Sequence, residues 1–134
     1  MHSSPDAICL ASAPVSAGFP SPAQDHAQRR IDLTELLITH PQATFLVRVQ
    51  GESMREAGVL HDDILVVNRA LKPRHGHIVV AVIDGDFTVK RLYQRDGAVR
   101  LEAANPEFDD IVPCGDQELQ IWGVVTGAVR QFPA

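Results

Sequence analysis

Two residues in the chain, a serine and a lysine, could together carry out nucleophilic chemistry. Ser53 lies in the segment 51–54 (Gly-Glu-Ser-Met), directly after an alternating run rich in β-forming residues at 44–49. A serine at the corner after a strand presents its hydroxyl from a backbone that packing holds still. The hydroxyl becomes a useful nucleophile when a base takes its proton. From these four residues alone, a simple turn is the commoner explanation.

Lys90 is the candidate base. It lies in the middle of an apolar strand, 87–93, which follows the turn signal Asp84-Gly85. A lysine acts as a base when it is neutral, and burial in an apolar pocket lowers its pKa by up to about 3–5 units. The alternative is an outward-facing charge beside Arg91 on a solvated strand, and the spacing alone favours that alternative.

Five short segments match a known family in order along the chain. They are 17–23 (Ala-Gly-Phe-Pro-Ser-Pro-Ala), 30–33 (Arg-Ile-Asp-Leu), 51–54, 84–90 (Asp-Gly-Asp-Phe-Thr-Val-Lys) and 122–125 (Trp-Gly-Val-Val). Together they resemble the LexA/UmuD family of self-cleaving serine proteins, and most closely its UmuD branch. Several motifs at family-like separations are far more specific than any single one, and these cover nearly the whole chain.

The resemblance implies a set of site residues for a serine peptidase that cuts its own chain. Ser53 is then the nucleophile and Lys90 the general base of a Ser/Lys dyad. The backbone N–H groups of Glu52 and Ser53 hold the oxyanion, and the bond between Ala17 and Gly18 is cut. Many family members have cysteine where this chain has Ala17, and alanine is also accepted there. The resemblance implies no cofactor and no metal.

The resemblance also implies partners and a setting. By this resemblance, the protein is expected to form a homodimer in the bacterial cytoplasm. A RecA filament on single-stranded DNA, formed after DNA damage, stimulates the cleavage during the SOS response. The shortened product acts with a UmuC-type DNA polymerase subunit in translesion synthesis, the error-prone copying of lesions that underlies SOS mutagenesis and accompanies DNA repair.

The composition bounds what the chain does by itself. Its 134 residues are enough for one domain, and its net charge is −5 with a pI near 5.6. A mildly acidic chain without a basic stripe argues against direct sequence-specific DNA binding. Cys9 and Cys114 fit no metal spacing and are typical of reduced thiols. His75 and His77 flank a turn glycine without a third ligand nearby, so the pattern does not favour a metal site.

Residues 1–28 are expected to form a flexible, extended arm, because alanine, serine and proline dominate them. The arm lacks the positive leading region of a signal peptide, and no run approaches the roughly 20 apolar residues of a membrane helix. A protease cleft binds its substrate as an extended strand. Ala17 and Gly18 are small enough for such a cleft, while Phe19, Pro20 and Pro22 favour an extended chain beyond the cut.

Residues 29–134 are expected to form a mainly β domain with one short helix. The helix is predicted from the cap Asp32 to His40, where Pro41 stops it. Strands are predicted near 44–50, 62–68, 77–83, 86–94, 98–103 and 118–129, with hairpins at Asp84-Gly85 and Asp96-Gly97. This pattern, together with the resemblance, predicts a LexA/UmuD-type domain of twisted antiparallel sheets with a barrel-like form. No helix-turn-helix pattern precedes it, which separates the chain from the repressor branch.

Three functional classes stay open from the sequence. The first is the self-cleaving mutagenesis protein. The second is a secreted or membrane-associated signal peptidase with the same Ser/Lys chemistry, for which no membrane anchor is visible. The third is a non-enzymatic β-rich module that binds a partner through the arm and the helix, with Ser53 and Lys90 merely structural.

Overall fold

The computed structural model describes residues 5–11, 14–19 and 28–134. The chain divides into two compact units, residues 1–39 and residues 40–134. The sequence pattern places the end of the arm earlier, at residue 28, and that functional boundary stays a prediction.

The N-terminal unit contains a short antiparallel pair of strands. β1 (Ile8–Ala11) pairs with β2 (Gln28–Ile31), so that Ile8 lies opposite Ile31. The Arg30 guanidinium donates hydrogen bonds to the carbonyl of Ala7 and, at 3.6 Å, to Cys9 Sγ. The sequence did not predict this pairing, because an arm rich in alanine, serine and proline gives little strand signal.

The predicted helix exists, with the predicted cap, but it is shorter. α1 spans Leu33–Leu37, and Asp32 Oδ1 accepts hydrogen bonds from the backbone N–H groups of Thr34 and Glu35, at 2.9 and 3.4 Å. The predicted end at His40 was wrong, because the β-branched Ile38 already has extended backbone with φ −122° and ψ 99°. Pro41 does not stop α1 but begins a 3₁₀ helix, Pro41–Ala43, in the second unit.

The second unit is built on one six-stranded sheet, and the mainly β prediction is confirmed. Its strands are β3 (Thr44–Arg48), β4 (Ile64–Asn68), β5 (Ile78–Ile83), β6 (Asp86–Arg95), β7 (Ala98–Glu102) and β8 (Leu119–Val129). They are arranged in the order β3-β4-β8-β5-β6-β7, with every neighbouring pair antiparallel. The last strand therefore lies between β4 and β5, in the interior of the sheet.

Both predicted Asp-Gly hairpins are confirmed. Asp84 and Gly85 have φ of 47° and 87°, and Asp96 and Gly97 have φ of 54° and 75°. Two successive positive φ values in a two-residue loop match the right-handed twist of the flanking strands, which is why Asp-Gly is favoured there. The first of these turns fixes the register of β5 against β6 and so sets the position of Lys90.

An apolar cluster supports the corner that follows β3. It includes Val49 and Met54, which flank the segment 50–53, together with Leu65, Val67 and Val80 from β4 and β5. Burial of side chains on both sides of the segment fixes where its backbone enters and leaves the core. A second cluster, formed by Val79, Ala81, Leu92, Leu101 and Val124, joins β5, β6, β7 and β8.

Candidate active site

The backbone before Ser53 is held by hydrogen bonds on both sides. Val49 N–H donates to the Asp63 carbonyl at 2.8 Å, and Asp62 N–H donates to the Val49 carbonyl at 2.9 Å. Gly51 then reverses the chain with φ 93°, a backbone conformation that residues other than glycine rarely adopt. Its N–H donates to His61 Nδ1 at 3.0 Å. These contacts hold the segment that carries Ser53.

A buried carboxylate anchors the opposite side of this corner. Asp63 is 1% exposed, and its two oxygens lie 2.7 and 2.6 Å from Nε and Nη2 of Arg130. Its Oδ2 also accepts from the Leu60 N–H at 2.8 Å. The hydrogen bonds from Arg130 lower the pKa of Asp63 from 3.8 to about 2, against the opposing effect of burial. Asp63 is therefore charged over the whole physiological range and fixes the loop in front of β4.

Lys90 is buried beside the serine. Its side chain is 7% exposed, and its Nζ lies 2.9 Å from Ser53 Oγ. Burial lowers the pKa of Lys90 from its ordinary value, because the apolar surroundings disfavour the ammonium form. The outward-facing alternative for Lys90 is therefore wrong: the fold brings together two residues that are 37 positions apart in the sequence.

Among the described residues, three oxygen atoms lie within hydrogen-bonding distance of Lys90 Nζ, which an ammonium contacts through three donors and a neutral amine through two donors and one lone pair. Besides Ser53, its Nζ lies 2.9 Å from Thr88 Oγ1 and 3.1 Å from the Val89 carbonyl oxygen. A neutral amine has two N–H donors, which these two oxygens accept, and one lone pair, which is then left for the Ser53 hydroxyl proton. This arrangement suits a general base. Thr88 was not singled out in the sequence, although residues two apart on a strand share a face.

The carbonyl groups on either side of the Ser53 residue are bound by one short segment. Asn105 Nδ2 donates to the Glu52 carbonyl at 2.9 Å, and Ala104 N–H donates to the Ser53 carbonyl at 2.8 Å. The local sequence indicates only a turn at Asn105 before Pro106, because the contact of Asn105 with Glu52 depends on the tertiary fold. That the N–H groups of Glu52 and Ser53 serve as oxyanion donors stays a prediction.

Ser53 and Lys90 line an open, mainly apolar cleft of about 650 Å³. Its apolar lining residues are Val47, Val49, Met54, Val80, Phe87, Val89, Phe108 and Trp122. The Trp122 ring packs against those of Phe45 and Phe87, with centroid distances of 5.2 and 5.9 Å. Apolar walls keep the dielectric low around the lysine, and a cleft of this size can take an extended peptide.

The predicted scissile bond lies in exposed backbone of the N-terminal unit. Ala17 and Gly18 are both exposed, and their neighbours Val15 and Phe19 are each 92% exposed. Pro20, Ser21, Pro22 and Ala23 of the predicted recognition segment lie outside the described residues. An exposed bond is accessible to a protease cleft, and its cleavage stays a prediction.

The histidines flanking the turn at Gly76 have structural contacts. His75 Nδ1 accepts from the Gln94 N–H at 3.0 Å, and its ring packs edge-on against Tyr93. His77 Nδ1 accepts from the Arg74 N–H at 3.1 Å. Across residues 5–11, 14–19 and 28–134, no three potential ligands from His, Cys, Asp and Glu cluster around a metal position. In the same part of the chain, no helix has the length and apolar character needed to cross a bilayer.

Comparison with known proteins identifies the family. The model of the Peptidase S24-like family matches residues 10–126. The chain belongs to this family. This S24-like chain is 49% identical over 116 residues to protein ImpA of Salmonella typhimurium, covering 86% of this chain and 78% of ImpA. It is 46% identical over 121 residues to protein MucA of Escherichia coli, covering 89% of this chain and 82% of MucA.

A repressor also matches the S24-like chain. The LexA repressor of Azoarcus sp. (strain BH72) is 42% identical over 117 residues, which are 87% of this chain and 57% of the repressor. The resemblance to the LexA/UmuD family is thereby confirmed. The matched region includes both the corner with Ser53 and the strand with Lys90.

Proposed function

We propose that this protein is an SOS mutagenesis protein that cuts its own chain between Ala17 and Gly18. The observation that carries the proposal is the 2.9 Å distance between Lys90 Nζ and Ser53 Oγ inside an apolar cleft. Membership of the S24-like peptidase family supports the same chemistry. A buried lysine with a lowered pKa next to a hydroxyl is the arrangement that a Ser/Lys dyad needs.

The proposed reaction is acyl transfer followed by hydrolysis. Ser53 Oγ attacks the Ala17 carbonyl carbon while neutral Lys90 takes the hydroxyl proton. The resulting oxyanion is held by the backbone N–H groups of Glu52 and Ser53. The bond to the Gly18 nitrogen then breaks, and Lys90 gives its proton to that nitrogen. Water, activated by Lys90, hydrolyses the acyl-serine ester, which leaves a new carboxylate at Ala17 and regenerates the dyad.

A slow site is sufficient for this reaction because the substrate is tethered. An intramolecular substrate has a high effective concentration, so cleavage does not require tight binding of the arm. The same tethering requires restraint, since uncontrolled cleavage would remove the arm too early. We propose that a RecA filament on single-stranded DNA raises the population in which the arm occupies the cleft. The resemblance further supports a homodimer whose shortened form acts with a UmuC-type polymerase subunit in translesion synthesis.

The proposal is tested by incubating the purified full-length protein at alkaline pH and following its intact mass. We expect loss of residues 1–17, abolished by Ser53→Ala and by Lys90→Ala. The matched control is Lys72→Ala, since Lys72 is the exposed lysine of the chain and should be dispensable. An intact mass after long incubation with an activated RecA filament would instead favour a non-enzymatic interaction module.

A further inference from the structure

The segment 104–105 is hydrogen-bonded to the serine corner and is not part of the cleft lining. The cleft is lined by Glu52 and Ser53 but, within the described residues, not by Ala104 or Asn105. Asn105 nevertheless donates from Nδ2 to the Glu52 carbonyl, and Ala104 donates from its N–H to the Ser53 carbonyl. The Ala104 carbonyl in turn accepts from the Glu56 N–H at 2.7 Å. The two chain segments are thus joined by three hydrogen bonds.

These bonds determine the direction in which the N–H of Ser53 points. A peptide group is planar and trans, so its C=O and its N–H point in opposite directions. The Glu52 carbonyl and the Ser53 N–H belong to the same peptide group. The carbonyl points at Asn105, which does not line the cleft, so we infer that the Ser53 N–H points away from Asn105 and towards the cleft. In the described part of the chain, no protein acceptor contacts this N–H.

The orientation of the Asn105 amide is fixed by its two contacts. The side chain is buried, with 3% exposure, and its Oδ1 accepts from the Glu107 N–H at 3.0 Å. A flipped amide would place Oδ1 against the Glu52 carbonyl oxygen and its NH₂ against the Glu107 N–H, so both bonds would be lost. Only an asparagine in this orientation both closes the turn at 105–107 and donates to Glu52.

We propose that Asn105 is a positioning residue for the oxyanion site. By holding the Glu52 carbonyl it aims the Ser53 N–H at the place where negative charge develops on the scissile carbonyl oxygen. The donor is thereby oriented before substrate arrives, which is what makes such a site effective. This inference rests on the proposed self-cleavage and adds a residue that acts on the oxyanion only through the Ser53 N–H.

The test compares two buried asparagines in the full-length protein. Asn68 at the end of β4 is the matched control, because it is 2% exposed and its Oδ1 accepts from the backbone N–H two residues on, at 2.9 Å. Asn105→Ala should lower the alkaline self-cleavage rate by about 10- to 100-fold, part of the loss seen when an oxyanion donor is removed. The inflection of its pH–rate profile should not move, because Lys90 is untouched. Asn68→Ala and Asn105→Ala should lose thermal stability to a similar extent. The cleavage rate of Asn68→Ala, however, should stay within about twofold of the wild-type rate.

A second variant separates the two ends of the Asn105 amide. Asn105→Asp keeps an oxygen for the Glu107 N–H but removes the donor to Glu52, so it should be as slow as Asn105→Ala. Self-cleavage of either variant at the wild-type rate would overturn the proposal. So would a shifted inflection, or an equal loss in Asn68→Ala, since both would indicate a general structural effect.

A measurement that does not depend on cleavage keeps the two proposals distinguishable. In ¹⁵N-labelled protein, the backbone amide signal of Ser53 should shift or broaden in Asn105→Ala and stay unchanged in Asn68→Ala. If the wild type does not cleave itself, the proposed function fails, and this signal alone decides whether Asn105 orients the Ser53 N–H. An unchanged Ser53 signal in Asn105→Ala would overturn the inference.

Discussion

Replacing Thr88 by valine tests the assignment of Lys90 as a neutral base. Valine has nearly the same shape as threonine but lacks the oxygen that lies 2.9 Å from Lys90 Nζ. The buried amine then loses one of its two acceptors and keeps the Val89 carbonyl at 3.1 Å. Leaving a buried donor unsatisfied costs about 1–3 kcal/mol. We use the lower part of this range, because the amine can rotate towards its remaining acceptor. A loss of about 1–1.4 kcal/mol in the transition state predicts a rate about 5- to 10-fold lower.

The same substitution has a predicted direction on the pH axis. Hydrogen bonds from a charged donor are stronger than those from a neutral one, so the Thr88 oxygen stabilises the ammonium form of Lys90 more than the amine. Its removal should lower the pKa of Lys90 further. The pH–rate profile of Thr88→Val should therefore have a lower plateau and an inflection at lower pH than the wild-type profile. The loss of rate should be largest at alkaline pH and smaller near neutrality.

Intact-mass time courses across neutral to alkaline pH measure both quantities. The control is Thr126→Val, because the hydroxyl of Thr126, on β8, donates only a long hydrogen bond of 3.5 Å to the Val66 carbonyl. Its profile should coincide with that of the wild type. A Thr88→Val profile that coincides with the wild type, or whose inflection moves to higher pH, would refute the assignment of Lys90 as the base. A flat wild-type profile between neutral and alkaline pH would refute it as well.

Three further predictions concern stability. Lys90→Met should raise the free energy of unfolding at neutral pH, measured by urea denaturation. Because burial lowers the pKa of Lys90 in the folded state, this gain should shrink as pH rises towards 10.5, the pKa of the lysine in the unfolded state. Asp63→Asn should lower the free energy of unfolding by up to about 2 kcal/mol. This figure follows from the fall in the pKa of Asp63 from 3.8 to about 2, at about 1.4 kcal/mol per unit, reduced for solvent screening because Arg130 is 39% exposed. In an acid titration of the wild type, this contribution should be complete above pH 4 and lost towards pH 2. Gly123→Ala should lower the melting temperature, since the new Cβ would lie 2.5 Å from Val67 Cγ1 and overpacking costs about 1–3 kcal/mol. An unchanged melting temperature would show that β4 shifts to make room for the methyl group.

The strands could be predicted from the sequence because their signals are local. The alternation of apolar residues and the two Asp-Gly turns act within a few residues, and the observed strands agree with the predicted ones to within a few positions. The predicted end of the helix at His40 is wrong, because Pro41 is only the latest possible stop and Ile38 already has extended backbone. The pairing of β1 with β2 joins segments that are far apart in the sequence, and no local pattern predicts it.

The site was less accessible to local reasoning. Spacing alone favoured an exposed Lys90, and the pairing with Ser53 was expected only from the resemblance to a family. Its physical basis is tertiary, since the contact between Lys90 Nζ and Ser53 Oγ joins residues 37 positions apart in the sequence. The sequence indicates only a turn at Asn105, because its contact with Glu52 joins segments 53 residues apart. Thr88 was within reach, since its position two residues before Lys90 places both on one face of β6.

The interior position of β8 has a consequence for the order of events during synthesis. Ser53 follows β3 at one end of the sheet, Lys90 lies on β6 towards the other end, and β8 pairs with both β4 and β5 between them. A nascent chain that still lacks Leu119–Val129 has two half-sheets without their shared neighbour. We therefore expect that the proposed dyad of Ser53 and Lys90 is assembled only after β8 has paired with both β4 and β5.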